Sequence, residues 1–196
     1  MIQRVLLTIL LHFYRDLIII DPNVGNEMGK DRSDAVHQKG NQTSHILITL
    51  LNLSAITVLE LLSLFKLHYH LSYFDWLMFA FATVGVILCY WAYWSLGRLY
   101  TFTIGIRNSH TLVSSGPYRY LVHPGYVGQY MVLTGCLMFY NVYLTPTILF
   151  LIYMAYVYIR RMIAEERMLA ERFGNEYTTF MSERWRFFSF VVDLLK

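Results

Sequence analysis

The sequence predicts an all-α integral membrane protein with about five transmembrane helices and a C-terminal amphipathic helix. Of the 196 residues, 56% are hydrophobic and only 15% are charged, whereas soluble domains carry about 25% charged residues. The mean hydropathy is +0.41, and the charges lie in blocks that separate long apolar runs. This distribution is typical of a polytopic membrane protein.

The apolar runs define the predicted spans, because a bilayer core of about 30 Å needs about 20 helical residues. The run over 125–159 is too long for one span, and Asn141 and Pro146 interrupt it near the middle. We therefore interpret it as a tight hairpin of two helices. The predicted spans cover about 1–20, 45–67, 73–95, 125–141 and 143–161, which makes the whole chain, 1–196, a single polytopic domain.

The distribution of arginine predicts the orientation of the spans. The loop 68–72 and the hairpin tip around Asn141 contain no Lys or Arg, whereas the segment 96–124 and the C-terminal tail are rich in Arg. By the positive-inside rule, the segment 96–124 and the tail face the cytosol. The arginines of the tail are Arg160, Arg161, Arg167, Arg172, Arg184 and Arg186.

The tail over 162–181 is predicted to form the amphipathic helix, with a break at Gly174. Its apolar residues recur at spacings of three, four or six, at Ile163, Leu169, Phe173, Tyr177 and Phe180.

Charge and cysteine content exclude several classes of site. The net charge is only +3, and the basic residues lie beside apolar runs, which suits an anionic membrane surface better than a nucleic acid. Cys89 and Cys136 each lie within an apolar run. We expect both to be buried as small hydrophobic residues, with no disulfide framework and no metal site.

The segment 110–128 is the first candidate site. It is too rich in Gly and Pro to form a continuous helix, and irregular backbone at membrane depth must be covered by protein or line a water-filled cavity. The segment is therefore either part of a site or an ordinary cytosolic loop. Its aromatic and histidine residues, which suit the adenine and ribose of a nucleotide-like cofactor, are His110, Tyr118, Tyr120, His123 and Tyr126.

The segment 160–167 is the second candidate site. Glu165 follows Arg161 by four residues, so the two share one face of a helix. A carboxylate can accept hydrogen bonds from ribose hydroxyls, and an arginine can bind an anionic substrate through its planar fork. The alternative is that the arginines only anchor the cytosolic end of the last span.

Together the two segments resemble the protein-S-isoprenylcysteine O-methyltransferase family. The resemblance covers about 101–188. The motifs that carry it are Leu112-Val113-x-x-Gly116-Pro117-Tyr118-x-Tyr120, His123-Pro124-x-Tyr126-x-Gly128, Glu165-Glu166 and Phe173-Gly174-x-Glu176-Tyr177. It implies a bundle of membrane helices whose cytosolic end, over 103–128 and 160–177, closes over S-adenosylmethionine. The implied substrate is a processed CaaX-type protein that ends in a prenylated cysteine.

The resemblance also implies the roles of individual residues. The implied contacts to the cofactor are His110, Thr111, Leu112, Val113, Tyr118, His123, Pro124, Gly125, Tyr126 and Glu165. Arg161 would face the α-carboxylate of the substrate. We assign no catalytic acid or base, because an α-carboxyl has a pKa near ~3.5 and is already an ionised nucleophile at neutral pH. The chain departs from the family pattern at Val122, where members usually carry Arg, and Arg119 is the nearest candidate to supply that charge.

Two other functions remain open. A phospholipid N-methyltransferase, acting on an amine such as that of phosphatidylethanolamine, shares the His-Pro and Glu-Glu pattern. A non-enzymatic membrane scaffold or small transporter would need polar groups within its spans, and Glu60 is the main one in 45–67. An endoplasmic-reticulum location, with protein C-termini such as those of small GTPases and membrane lipid as partners, follows from the family resemblance.

Overall fold

A computed structural model describes the protein over residues 72–97, 112–139 and 144–186. Most of the described residues are helical. They form α1 (Tyr73–Leu96), a short 3-10 helix (Gly116–Arg119), α2 (Pro124–Phe139), α3 (Leu144–Phe173) and α4 (Asn175–Ser182). The spans predicted at 1–20 and 45–67 lie outside the described residues, so the count of five spans stays a prediction.

Helix α1 covers the residues of the span predicted at 73–95 and is a candidate membrane-spanning helix. Ser72 and Asp75 form a capping box at its start, which satisfies backbone N–H groups that the first turn leaves unpaired. Large apolar side chains such as Trp76, Leu77, Ile87 and Trp94 are exposed along the helix. A core helix of a soluble protein would bury such residues, whereas lipid is a suitable solvent for them.

Helices α1 and α2 approach each other closely through small residues. A Cβ atom added at Gly128 would lie 2.7 Å from the carbonyl oxygen of Gly85, and one added at Gly85 would lie 2.7 Å from the carbonyl oxygen of Gly128. A Cβ added at Gly135 would lie 2.8 Å from the Cβ of Ala82. Small residues let helix backbones meet in this way, as is common between membrane helices.

Helix α3 is longer than the sequence predicted. The span was predicted at 143–161 and the amphipathic helix was predicted separately from 162, but a single helix runs from Leu144 to Phe173. No Gly or Pro occurs between Thr147 and Phe173, so nothing in the backbone chemistry interrupts the helix where the residues become charged. The predicted break at Gly174 is confirmed, since this residue has a φ of 53°, a conformation that favours glycine.

Within the part of the chain that the structure describes, two helices are long and apolar enough to cross a membrane, Tyr73–Leu96 and Thr145–Phe173. Helix α2 matches the bounds of the predicted span 125–141 but has 16 residues, which corresponds to about 24 Å of helix.

The helices enclose two apolar clusters. The larger one, which we call the bundle core, lies among α1, α2 and α3 and includes Val132, Met154 and Tyr158. Cys89 and Cys136 are buried within it, as predicted. The smaller one, which we call the cytosolic cluster because the adjoining segments are predicted to face the cytosol, consists of Val122, Tyr177 and Phe180 with their partly buried neighbours. It packs α4 against the segment that precedes α2.

Candidate functional site

Charged and polar side chains from three parts of the chain converge where α2 begins and α3 becomes charged. We call this set the polar cluster, and its members are His123, Tyr126, Arg161, Glu165, Glu166 and Arg186. Arg161 and Glu166 are buried, and the other four are partly buried. Buried charges are costly unless they are paired, so the contacts among these residues determine what the site can do.

The helix positions explain the grouping. Pro124 is the first residue of α2, a position that proline favours. His123 and Tyr126 therefore lie at the N-terminus of that helix. On α3, Arg161 and Glu165 are four residues apart and share one face. Glu166 is rotated by about 100° from Glu165 around the helix, so the two adjacent carboxylates reach different partners.

Tyr126 links the two walls of the site through its hydroxyl group. The hydroxyl donates a hydrogen bond to Glu165 Oε2 at 2.9 Å, and it accepts one from Arg161 Nε at 2.6 Å. The sequence predicted that Arg161 and Glu165 share a face, and the structure shows that a tyrosine of the facing helix bridges them. Both contacts involve an ionised group, which makes them stronger than neutral hydrogen bonds.

Glu166 forms the centre of a second group of contacts. Its side chain is only 3% exposed. Arg186 contacts both of its oxygens, with NH2 to Oε2 at 2.7 Å and Nε to Oε1 at 3.3 Å. His123 Nε2 lies 3.2 Å from Oε1. Because an ionised carboxylate can only accept hydrogen bonds, His123 must donate through Nε2 in this arrangement.

The residues 184–186, which we call the strap, run back from α4 across the segment before α2. The Trp185 N–H donates to the carbonyl of Tyr120 at 2.9 Å, and the Val122 N–H donates to the carbonyl of Trp185 at 3.2 Å. Arg184 donates from Nε to the carbonyl of Tyr118 at 2.8 Å, and its guanidinium lies 4.0 Å from the ring centroid of Phe180. The strap therefore joins the tail to the 118–122 backbone.

Tyr177 of α4 is buried beside the polar cluster, and its hydroxyl oxygen has no hydrogen-bond partner within the described residues. Burial raises the pKa of Tyr177 well above its usual range, and the nearby Glu166 and Glu165 carboxylates raise it further. The neutral hydroxyl is thus a donor held near two carboxylates.

The structure brings four of the predicted site residues together, namely His123, Tyr126, Arg161 and Glu165. Leu112 and Tyr118 instead pack against the cytosolic cluster, and Val113 is partly buried. Pro124 begins α2, while Gly125 contributes a carbonyl that accepts from the Cys89 thiol at 3.6 Å. His110 and Thr111 lie outside the described residues.

Three residues beside or within this site received no role from the sequence, namely Glu166, Arg186 and Tyr177. Glu166 was part of the Glu-Glu motif but received no role, and Arg186 was interpreted as a marker of topology. Val122, where the family usually has Arg, is buried in the cytosolic cluster. The arginine that reaches Glu166 is Arg186, whereas Arg119 lies over the ring of Tyr120. Tyr177 was in a quoted motif, and its spacing alone gave no sign that its hydroxyl lies near the carboxylates.

Comparison with known families agrees with the motifs. The model of the isoprenylcysteine carboxyl methyltransferase (ICMT) family matches residues 78–171. This stretch of the chain is similar to that family. It covers just under half of the 196 residues and contains His123, Tyr126, Arg161 and Glu165 of the polar cluster. A search of curated proteins returned no match.

Proposed function

We propose that the protein transfers a methyl group from S-adenosylmethionine to the C-terminal α-carboxylate of a prenylated cysteine on processed CaaX-type proteins. The match to the methyltransferase family supports the reaction class. The observation that carries the proposal is the Tyr126 hydroxyl, which connects Glu165 and Arg161. It joins the residue that we assign to the cofactor with the residue that we assign to the substrate.

The polar groups of the site fit S-adenosylmethionine. This cofactor carries an ammonium, a carboxylate, two ribose hydroxyls and an adenine, so it needs both acceptors and donors. Glu165 offers carboxylate oxygens, and the buried hydroxyl of Tyr177 offers a donor next to the same carboxylates. When bound, the cofactor supplies an electrophilic methyl group on a sulfonium. We assign its contacts to the residues predicted from the family motifs, from His110 to Tyr126, together with Glu165.

We assign Arg161 to the carboxylate of the acceptor. Its Nε donates to Tyr126 at 2.6 Å, and this contact fixes the plane of the guanidinium. The acceptor is already ionised at neutral pH, so the protein needs no general base. Its task is to align the two reactants and exclude water, an effect that can contribute roughly 7–11 kcal/mol. Burial favours transfer from a cation to an anion, because both charges disappear.

The apolar outer surface suits a lipid-anchored substrate. Exposed apolar side chains line α1 and the first half of α3, for example Ile87 and Ile152. A prenyl chain partitions into a bilayer with about 0.8 kcal/mol for each buried CH₂. The acceptor would therefore approach within the membrane, while the soluble cofactor would arrive from the cytosol. This arrangement is consistent with a multi-pass protein of the endoplasmic-reticulum membrane whose site faces the cytosol.

A labelling experiment tests the proposal. Purified protein in detergent is mixed with S-adenosylmethionine labelled in its methyl group and with either N-acetyl-farnesylcysteine or phosphatidylethanolamine. We expect label on the prenylcysteine that alkali releases as methanol. Label only on the phospholipid would show that the amine-directed activity is the correct one. Absence of cofactor binding in calorimetry would support a non-enzymatic role.

Two variants test the assigned roles. Glu165→Ala should raise the Kd for the cofactor about tenfold, as expected for one lost charge-assisted hydrogen bond. Arg161→Ala should mainly raise KM for the prenylcysteine. The matched control is Arg160→Ala, since Arg160 is the exposed neighbour on the same helix and should leave both constants unchanged. Substrate kinetics that do not respond to Arg161→Ala would remove Arg161 from its assigned role.

A further inference from the structure

Arg186 lies outside the stretch that matches the family, yet it makes the closest ion pair of the polar cluster. Its NH2 group is 2.7 Å from Glu166 Oε2, and its side chain is 15% exposed. Its Nε is 3.3 Å from the other oxygen. This two-point contact uses the planar fork of the guanidinium, which a lysine cannot reproduce.

The ion pair between Arg186 and Glu166 determines the direction of the hydrogen bond between Glu166 and His123. A carboxylate as buried as Glu166 is unfavourable as an anion unless a cation compensates it. Arg186 supplies that cation, so Glu166 remains an ionised acceptor. His123 Nε2, at 3.2 Å from Glu166 Oε1, must then carry the proton of the shared contact. In the neutral imidazole this leaves Nδ1 as a hydrogen-bond acceptor.

The strap holds His123 and Arg186 next to each other at Glu166. Val122 directly precedes His123, and Trp185 directly precedes Arg186. The backbone hydrogen bond from Val122 to Trp185 therefore holds both following residues next to Glu166. Charged or titratable groups of the described residues near this contact include Tyr126, whose ring centroid lies 5.7 Å from that of His123, together with Glu165, Arg161 and Tyr177.

We propose that Arg186 is a positioning residue of the cofactor site, acting through Glu166 to fix the proton of His123 on Nε2 and to leave Nδ1 as an acceptor. One consequence rests on the proposed function: Nδ1 accepts a hydrogen bond from a donor group of the cofactor. The tautomer itself can be measured without any cofactor.

Nitrogen-15 NMR of the full-length protein, labelled at histidine and free of cofactor, tests the tautomer. The chain has seven histidines, and the signals of His123 are assigned by their loss in His123→Asn. We expect the wild type to show a single form, protonated at Nε2. Arg186→Met should move the Nδ1 signal toward that of a protonated nitrogen, because Glu166 then loses the arginine contact that keeps it an ionised acceptor for Nε2. Arg186→Lys should keep the wild-type form.

The matched control is Arg167→Met, which removes an exposed arginine beside Glu166 and should leave the His123 signals unchanged. A wild-type His123 protonated only at Nδ1 would overturn the proposal, even if every Arg186 variant failed to fold. So would identical His123 spectra for the wild type and Arg186→Met.

Calorimetry with S-adenosylmethionine separates this proposal from the proposed function. We expect Arg186→Met to raise the Kd about tenfold, Arg186→Lys to raise it less, and Arg167→Met to leave it unchanged. If the wild type binds no cofactor while the tautomer shift occurs, the proposed function fails and the positioning of His123 stands. If the wild type binds and Arg186→Met binds equally well, Arg186 does not act on the cofactor site.

Discussion

Gly128 and Tyr126 are two residues apart on α2, but they meet different kinds of neighbour. The backbone of α1 faces Gly128 so closely that a single added carbon would lie 2.7 Å from the carbonyl oxygen of Gly85. Tyr126 meets an arginine and a carboxylate through one hydroxyl group. The first contact is steric and the second is electrostatic.

The difference shows which substitutions each region can accept. The α1–α2 interface contains glycine where backbones meet, so it is sensitive to added volume. The polar cluster contains paired charges, so it is sensitive to the loss of one partner. Substitutions that add an atom in one region or remove a charge in the other test this contrast directly.

The largest effect on stability is expected from removing the charge at the centre of the polar cluster. Glu166→Gln leaves Arg186 without its carboxylate and should lower the free energy of unfolding by about 3–5 kcal/mol, measured by thermal or denaturant unfolding in detergent. Glu171→Gln, an exposed carboxylate on the same helix, should change it by less than about 0.5 kcal/mol. The double variant Glu166→Gln/Arg186→Met should cost less than the sum of the two single variants. Additive costs would contradict the pairing.

A smaller effect is expected from one added methyl group at the α1–α2 interface. Gly128→Ala places a carbon against α1 backbone and should cost about 1–3 kcal/mol in the same unfolding measurement. The control is Gly125→Ala, because a Cβ added there meets no atom of another element within 4 Å among the described residues. Equal stability of the two variants would show that α1 and α2 can separate without cost.

The smallest effect is expected at Tyr177 and has the opposite sign. Tyr177→Phe removes a buried hydroxyl that has no partner among the described residues and should stabilise the unliganded protein by about 1 kcal/mol. The folded pKa is raised above the unfolded value of about 10. The wild type should therefore keep its full stability below about pH 10 and lose part of it above that pH, whereas the variant should lose less over the same range. Weaker cofactor binding by Tyr177→Phe would support its role as a donor.

The described helices follow from the sequence because apolar runs bounded by polar or turn residues have few alternative structures in lipid. The end of α3 does not follow from that pattern. The change from apolar to charged residues after Ile159 was interpreted as the approach to the end of the span at 161, and the amphipathic helix over 162–181 was treated as a separate element. Helix propensity does not change there, so the backbone continues to Phe173.

The site could be predicted in part for a related reason. His123, Tyr126, Arg161 and Glu165 belong to compact motifs whose spacing indicates a shared face or a helix start. Arg186 reaches Glu166 only because the strap folds back across the 118–122 backbone, a contact between segments more than 60 residues apart. No local pattern in the sequence encodes that return, so its arginines were indistinguishable from the other arginines of the tail.

The continuity of α3 fixes the distance between the apolar outer surface and the polar cluster. Ile152, on the apolar outer surface, and Arg161, in the polar cluster, lie on one uninterrupted helix. Each residue between them adds about 1.5 Å of height and about 100° of rotation. The number of residues between Ile152 and Arg161 therefore sets the height at which the proposed acceptor would present its carboxylate to Arg161. Inserting or deleting one residue near Val157 would shift both the height of the site and the direction in which it opens.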